Sequence, residues 1–503
     1  MSITNKFEKF GKFKNYKDIT TYIVNETKNV EIINMKKKYK VRDKKGTCCT
    51  ALEIACDREQ IQIIEKIIKY MKKKKYNLTQ HCADKMLRMA CKNGYINIVN
   101  CIFKYMTTLG IIVNVHIDEE IYFRTACKYN KIELVKYLIK YCDEINSLIN
   151  IHVNDDEVFI HACRNNNFNL VKILIRYGDR INSKINIHMK DEYAFMSACS
   201  NNNIEMVEYL IVAGMIQNNR INIHINDDFP FFIACTNNHF ELVKYLIDYC
   251  NTNNTKINIM KRGSTILIEA CKNNNIELVD MILKYGKETK QKLDIHTNNE
   301  IIFLISCELK KGIALPKYLI EYGESEHTKI NIHSRCEHAF IVACEYNNIE
   351  LVKYLIEYGN KIGSKININI RDECGFRLAC SNNNMELVKY LVKCGEETGS
   401  IININVLNSC SFISACKNNN LELVKYLIEY GYRSNNKINI NILDDMPFIM
   451  ACNNINNIKL VKYLINVGEQ TGNKINIHAQ HDKAFIYACE NNNMELVYYL
   501  TKL

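Results

Sequence analysis

The chain has 503 residues, of which 47% are hydrophobic and 24% charged, and it carries a formal net charge of +11. With 3 prolines and no tryptophan, this balance is typical of a folded, well-packed protein and excludes collagen-like, mucin-like and linker-rich organisation. Because the N-terminus lacks a signal-peptide core and no run of about 18 uncharged apolar residues follows, we expect an intracellular, cytoplasmic protein with its 23 cysteines reduced.

The N-terminal end is strongly basic. Residues 1–110 carry 24 Lys/Arg against 10 Asp/Glu, whereas the remainder carries 42 against 45. We interpret residues 1–46 as a basic N-terminal cap or half-repeat. Such runs either solubilise the end of a repeat stack or bind nucleic acid or acidic membrane surfaces, and both interpretations stay open. The candidate basic patch consists of Lys36, Lys37, Lys38, Lys40, Arg42, Lys44, Lys45, Lys72, Lys73, Lys74 and Lys75.

The dominant pattern is a recurring Ala-Cys pair, which becomes Ser306-Cys307 once. Its cysteines are spaced 35 residues apart once, 37 twice and 36 nine times. A sustained period of this length indicates stacked supersecondary units, none of which can bury its apolar face alone. The sequence therefore predicts about 13 repeats of about 36 residues over residues 47–503. Their marker cysteines are Cys56, Cys91, Cys127, Cys163, Cys199, Cys235, Cys271, Cys307, Cys344, Cys380, Cys416, Cys452 and Cys489.

The spacing of apolar residues in each unit predicts two helices joined by a tight turn. In the unit at Cys199, apolar residues recur three or four apart, first around Phe195 and Ala198 and again from Ile204 to Ile211. Residues 200–203, Ser-Asn-Asn-Asn, separate the two sets, and asparagine tolerates the left-handed conformation that ends a helix. Acidic pairs such as Asp155-Asp156 precede the first helix, where they are expected to cap it. Glycines are expected to end the second helix at Gly178, Gly214, Gly286, Gly323, Gly359, Gly395, Gly431 and Gly468.

A polar run and the motif Lys-Ile-Asn-Ile-His, or a close variant, follow each of these glycines. The alternation of Ile and Asn predicts a short extended, β-like finger with one packed face and one wet face. The predicted fold is therefore a mainly all-α solenoid of helix-turn-helix units joined by extended fingers.

This pattern resembles the ankyrin repeat family, whose units begin with a Thr-Pro-Leu-His-like segment and close on glycine. The unit from Gly263 to Gly286 carries the match most fully, with Thr265, Leu267 and Ala270 in the first helix. Most other units lack the Thr-Pro pair, so their first turn is expected to differ in detail. The long Asn-rich fingers also resemble the large ankyrin sets of giant DNA viruses related to mimivirus. The resemblance implies a protein that binds other proteins along a concave surface.

The periodic Cys and His residues do not predict metal or redox chemistry. Stacked helices lie about 8 to 10 Å apart, too far for the marker cysteines to form disulfides with one another. We expect them to pack as small core residues. The finger histidines, such as His152 and His188, are replaced by Met260 and Asn369 at equivalent positions, which favours a turn-stabilising hydrogen bond over zinc. We identify no catalytic constellation and no cofactor motif.

A variable position on the first helix lies one residue before the small residue of each marker pair. At Val342 and Leu378, the side chain is expected to point about 100° away from the packed face, so that Val342→Glu with Leu378→Glu should leave the fold nearly intact. We expect a protein-binding surface here, and the alternative, in which the lengthened fingers cover this position, stays open. The candidate residues are Ile233, Glu269, Ile305, Val342, Leu378, Ser414, Met450 and Tyr487.

These observations support two hypotheses. The first is a non-catalytic scaffold or adaptor for unidentified proteins, in its specific form a viral protein engaging host factors in the host cytoplasm. The second is a binder of nucleic acid or acidic membrane surfaces through the basic N-terminal end, which leaves a nuclear location open. Neither hypothesis involves a small-molecule substrate, and the sequence identifies neither the partner nor the oligomeric state.

Overall fold

The computed structural model describes residues 52–53, 55–57, 59–73, 80–108, 113–308, 312–454 and 458–503. The chain divides into two compact units, Met1–Ile233 and Ala234–Leu503. The N-terminal unit, unit 1, contains α1 (Ile61–Lys73), α2 (Gln80–Asn93), α3 (Ile96–Thr108), α4 (Ile117–Lys128), α5 (Ile132–Glu144), α6 (Val153–Arg164), α7 (Phe168–Arg180), α8 (Met189–Ser200) and α9 (Ile204–Ile216), and α10 (Ile225–Thr236) contains the boundary.

The C-terminal unit, unit 2, continues the same alternation of first and second helices. It contains α11 (Phe240–Thr252), α12 (Gly263–Lys272), α13 (Ile276–Glu288), α14 (Thr297–Cys307), α15 (Ala314–Ser325), α16 (Ser334–Glu345), α17 (Ile349–Lys361), α18 (Ile370–Ser381), α19 (Met385–Thr398), α20 (Val406–Lys417), α21 (Leu421–Arg433), α22 (Ile442–Cys452), α23 (Ile458–Thr471), α24 (Ala479–Glu490) and α25 (Met494–Leu500). None of the described helices is long and apolar enough to cross a membrane.

Within each unit, the first helix of a repeat packs against its own second helix and against the first helix of the next repeat. Buried Phe, Ala and Cys side chains form the contact face of the first helices, as at Phe376, Ala379 and Cys380 in α18. On the second helices, Leu, Val and Ile are buried, as at Leu387 and Val388 in α19. The 3.6-residue periodicity of the sequence therefore corresponds to the observed core.

The marker cysteines are free thiols, and all except the exposed Cys489 are buried. Burial raises the pKa of Cys56 to about 12 and raises the pKa of Cys91 well above its ordinary value. A thiol held in its neutral form is a poor nucleophile and packs as a small apolar group. The expected core role is confirmed for these buried residues.

An asparagine-rich turn joins most pairs of helices, and its three residues have three different roles. In the turn after α18, the side chain of Asn382 donates a hydrogen bond to the carbonyl of Glu345 in the preceding repeat at 2.8 Å. Asn383 adopts the left-handed conformation, with φ of 57°. Asn384 caps α19, because its Oδ1 accepts a hydrogen bond from the backbone N–H of Leu387. The left-handed asparagine predicted from the sequence is confirmed.

The cap asparagines also connect neighbouring repeats. The side-chain amide of Asn420 donates to Oδ1 of Asn383, the left-handed residue of the preceding turn, at 2.6 Å. Asn203 donates in the same way to Asn166 in unit 1 at 2.6 Å. These contacts form an asparagine ladder, by which we mean hydrogen bonds from a cap asparagine to the left-handed asparagine one repeat earlier.

The closing glycines do not end the second helices, so this prediction is wrong. Gly178 lies inside α7, which continues to Arg180, and the left-handed residue that follows is Asn182, with φ of 57°. A Cβ atom on Gly178 would lie 2.7 Å from the backbone oxygen of Ser183. The glycine is needed because the returning chain crosses the helix at this point, and not because the helix stops there.

The finger shows the predicted alternation of burial without forming a β-strand. Ile185 and Ile187 are buried, whereas Asn186 between them is exposed. The described residues contain no strand, so the finger is an extended segment without a sheet partner. The Oδ1 of Asn186 accepts a hydrogen bond from the backbone N–H of His188, which turns the chain toward α8.

A left-handed turn opens most first helices. In α6, Asn154, Asp155 and Asp156 have φ of 53°, 53° and 56°. The acidic pair therefore does not cap a right-handed helix, contrary to expectation, because it forms this turn. By contrast, α12 begins at Gly263 without the turn, in the repeat that carries the fullest family signature. The expected departure of the other repeats from the Thr-Pro-Leu-His start is thus confirmed.

A hydrogen bond between histidine and a buried carboxylate closes this turn. In α16, Nδ1 of His333 lies 2.9 Å from Oε1 of Glu337. The same oxygen accepts a hydrogen bond from the backbone N–H of Asn367 in the next finger at 3.1 Å. The other ring nitrogen of His333 lies 2.7 Å from Oγ of Ser364. The predicted turn-stabilising role of the finger histidine is confirmed, and the same contacts join one repeat to the next.

We expect Glu337→Gln to lower the free energy of unfolding by about 1.5 to 3 kcal/mol, because it weakens a buried hydrogen bond to a charged group. Glu373 is the matched control, since its repeat has Asn369 in place of the histidine and burial raises the pKa of its carboxyl group. A raised pKa means that the folded state loses stability as pH rises through that pKa. Glu373→Gln should therefore be neutral or stabilising at pH 7, and this advantage should shrink toward pH 5.

Urea denaturation of both variants at the two pH values measures these differences. Equal losses for the two substitutions would show that the histidine contact contributes nothing beyond the hydrogen bond to the finger backbone.

Candidate functional site

The variable first-helix position was predicted to form a protein-binding surface. The structure places most of its candidate residues half-buried on first helices: Ile233 in unit 1, and Glu269, Ile305, Leu378, Ser414, Met450 and Tyr487 in unit 2. Their side chains are thus partly available to a partner. Whether a partner contacts them is untested, and the assignment stays a prediction.

Val342 departs from this pattern. Its side chain is 4% exposed, and the preceding residue, Ile341, is buried as well. Both residues lie in α16, whose buried face is therefore broader than the Phe-Ala-Cys face of its neighbours. The prediction that the Val342 side chain points away from the packed face and is exposed is wrong, because its position on the helix does not show what covers it.

The predicted basic patch lies almost entirely outside the described residues. This holds for Lys36, Lys37, Lys38, Lys40, Arg42, Lys44, Lys45, Lys74 and Lys75. Lys72 and Lys73 end α1, but their side chains are not among those that the structure describes. The proposed cap at residues 1–46 also lies outside the described part of the chain.

The structure instead shows a groove on the first-helix face of unit 1, with a volume of about 590 Å³. We call this surface the basic groove. It crosses α2, α4 and α6, and it includes Thr125 and His161, which occupy the variable position in their repeats. Its lining residues are Glu53, Lys85, Arg88, Met89, Lys92, Ile121, Arg124, Thr125, Lys128, Tyr129, Glu157, Val158 and His161.

Two of the groove's arginines are held by acidic side chains of the next repeat. Nη2 of Arg124 lies 2.5 Å from Oε2 of Glu157, and Arg88 forms an ion pair with Asp118. Hydrogen bonds from Asn154, followed by those from Arg124 and His161, hold the pKa of Glu157 below its ordinary value. These pairs fix the walls of the groove as charged surfaces at neutral pH.

Two lysines of the groove are not held in this way. Lys92 lies over the ring of Tyr129, with its Nζ 5.4 Å from the ring centroid. Lys128 is exposed and forms no ion pair with any carboxylate of the described chain. Each lysine directly follows a marker cysteine, so the two occupy equivalent positions in neighbouring repeats.

Sequence reasoning missed this groove, although the sequence contains a signal for it. The residue after the marker cysteine is basic in three successive repeats, as Lys92, Lys128 and Arg164. Only Lys92 lies within residues 1–110, to which the N-terminal basic excess was assigned. The described residues contain no group of three or more His, Cys, Asp or Glu side chains that could hold a metal ion.

Comparison with protein families gives matches along most of the chain. A model described as ankyrin repeats in three copies matches residues 87–185, 123–222, 195–293, 366–438 and 412–503. A second model, described as a single ankyrin repeat, matches residues 337–364. A comparison with curated proteins gives no match.

Proposed function

The chain belongs to the ankyrin repeat family, whose members are generally protein-protein interaction modules, and we propose that it is a non-catalytic scaffold that binds other proteins through its first-helix faces. The observation that carries this proposal is the basic groove. There, residues at one register position differ between repeats, as Met89, Thr125 and His161, while the neighbouring Ala and Cys stay nearly constant. Variation confined to an accessible face is typical of a recognition surface.

We further propose that the repeats number about 13 over residues 47–503, each of about 36 residues, and that the protein acts inside a cell, in the cytoplasm. Its long Asn-rich fingers support a relationship to the ankyrin sets of giant DNA viruses. Its partners would then be proteins of the host cell. The alternative is that the basic end binds nucleic acid or an acidic membrane surface, which the charge of residues 1–110 supports.

Site-specific photocrosslinking tests the proposed binding face. We expect a photoreactive side chain at Met450 or Tyr487, on first helices, to form crosslinks to protein in native-cell extracts. The matched control is Lys389, an exposed residue on the second helix α19. The products should disappear on protease treatment of the partner and resist nuclease.

Crosslinks that form equally well from Lys389 would move the binding surface away from the first helices. Nuclease-sensitive products would favour the nucleic-acid alternative.

A further inference from the structure

We propose that the basic groove of unit 1 binds an extended acidic segment of a partner protein, with carboxylates spaced three residues apart. This inference rests on the proposed function and adds the chemistry of the partner.

The charge of the groove favours an anionic ligand. Its lining includes Lys85, Arg88, Lys92, Arg124 and Lys128, against the carboxylates of Glu53 and Glu157. Lys85 lies 3.6 Å from Glu53, and the two arginines have the acidic partners described above, so these groups are partly neutralised. Lys92 and Lys128 are the cations that remain for a ligand, because no carboxylate of the described residues pairs with them.

The spacing of these two lysines defines the ligand's own spacing. They follow Cys91 and Cys127 and therefore stand at equivalent positions of adjacent repeats. Packed helices lie about 8 to 10 Å apart. A peptide in the polyproline II conformation advances about 3.1 Å per residue with three residues per turn, so residues i and i+3 lie on the same face and span one repeat. Carboxylates at positions i and i+3 of such a peptide would meet both lysines at once.

The floor of the groove is apolar. Met89, Ile121 and Val158 line it, one from each of three consecutive first helices, and the ring of Tyr129 adds to it. An aliphatic side chain placed between the two carboxylates would bury its surface here. The expected ligand therefore has an aliphatic residue between successive carboxylates and is not a uniformly acidic run.

The two carboxylates that line the groove favour a peptide over a nucleic acid. Glu53 and Glu157 repel any anion that comes close, and a nucleic acid carries a phosphate at every nucleotide. A peptide can instead place its carboxylates at Lys92 and Lys128 and donate backbone N–H groups to the two glutamates. Residues 1–50 of the chain itself carry an excess of Lys and Arg and do not match this chemistry. A separate protein with an acidic segment does.

Fluorescence anisotropy with the full-length protein tests the inference. The probe is a fluorescein-labelled peptide of Glu-Leu-Ser repeats, which places a glutamate at every third position. We expect Lys92→Glu with Lys128→Glu to weaken its binding by at least about tenfold. The matched control is Lys136→Glu with Lys140→Glu, which makes the same change of charge at exposed positions of the second helix α5. The control should bind the peptide like the unaltered protein.

Two comparison probes define the chemistry. A peptide of the same composition with its glutamates contiguous should bind more weakly, and an oligothymidylate of matched length should not displace the Glu-Leu-Ser peptide. Equal loss in both double variants, no preference for the three-residue spacing, or displacement by the oligothymidylate would overturn the inference. The photocrosslinking result at Met450 and Tyr487 is independent of unit 1, so it would still stand or fall with the general binding function.

Discussion

Phe340→Ala should lower the free energy of unfolding by about 3 to 5 kcal/mol, the range for truncation of a buried aromatic side chain. Phe340 is fully buried, and its equivalents Phe376, Phe412 and Phe448 are buried in the following first helices. Because each repeat contacts only its neighbours, the loss should be local and unfolding should separate into more than one step. Equilibrium urea denaturation, followed by circular dichroism, measures both effects.

Gly375 provides an internal control for the cavity that Phe340→Ala would leave. A Cβ atom on Gly375 would lie 2.7 Å from Cε1 and 2.8 Å from Cζ of Phe340. In the unaltered protein, Gly375→Ala should therefore gain little, because overpacking offsets its better helix propensity. In the Phe340→Ala background the same substitution should stabilise by about 1 kcal/mol, since the ring is gone. Equal effects in both backgrounds would show that the ring and the glycine are not in contact.

Val342→Glu should be strongly destabilising, by several kcal/mol, because an unpaired carboxylate in an apolar site loses its hydration. This is the opposite of the expectation from the sequence, which placed the Val342 side chain on the exposed face of its helix. Ser414→Glu is the matched control, since Ser414 holds the same register position and is half-buried. Its effect should stay within about 1 kcal/mol, near the range for accessible positions.

Thermal denaturation of the two variants measures the difference. If Val342→Glu melts like Ser414→Glu, then Val342 is accessible in solution and returns to the candidate binding surface.

The helices and most of the core were predictable from the sequence, because both follow from the spacing of apolar residues. Phe376, Ala379 and Cys380 are buried as their periodicity indicates. The left-handed asparagines were predictable for a similar reason, since few other residues adopt that conformation at low cost. Such properties depend on a residue and its near neighbours in the chain.

Properties that depend on contacts between distant parts of the chain were not predictable. Gly178 was assigned to a helix end because the approach of Ser183 to the helix is not visible in the sequence. Val342 was assigned to the surface because its burial reflects packing in three dimensions. The basic groove was overlooked because Lys92 and Lys128 are far apart in sequence and become neighbours only when repeats stack.

The asparagine ladder gives each repeat a direction. Within both units its side-chain donors belong to the later repeat and its acceptors to the earlier one, as when Asn420 donates to Asn383. The two stacking faces of a repeat are therefore chemically different, because one presents the hydrogen-bond donor and the other the acceptor. An exchanged repeat would continue the ladder on both sides only in the same orientation, and only if it brought both the cap asparagine and the left-handed asparagine. The turn Tyr129-Asn130-Lys131 keeps the acceptor but lacks the cap asparagine. A repeat with such a turn accepts the ladder hydrogen bond from the next repeat but donates none to the preceding one.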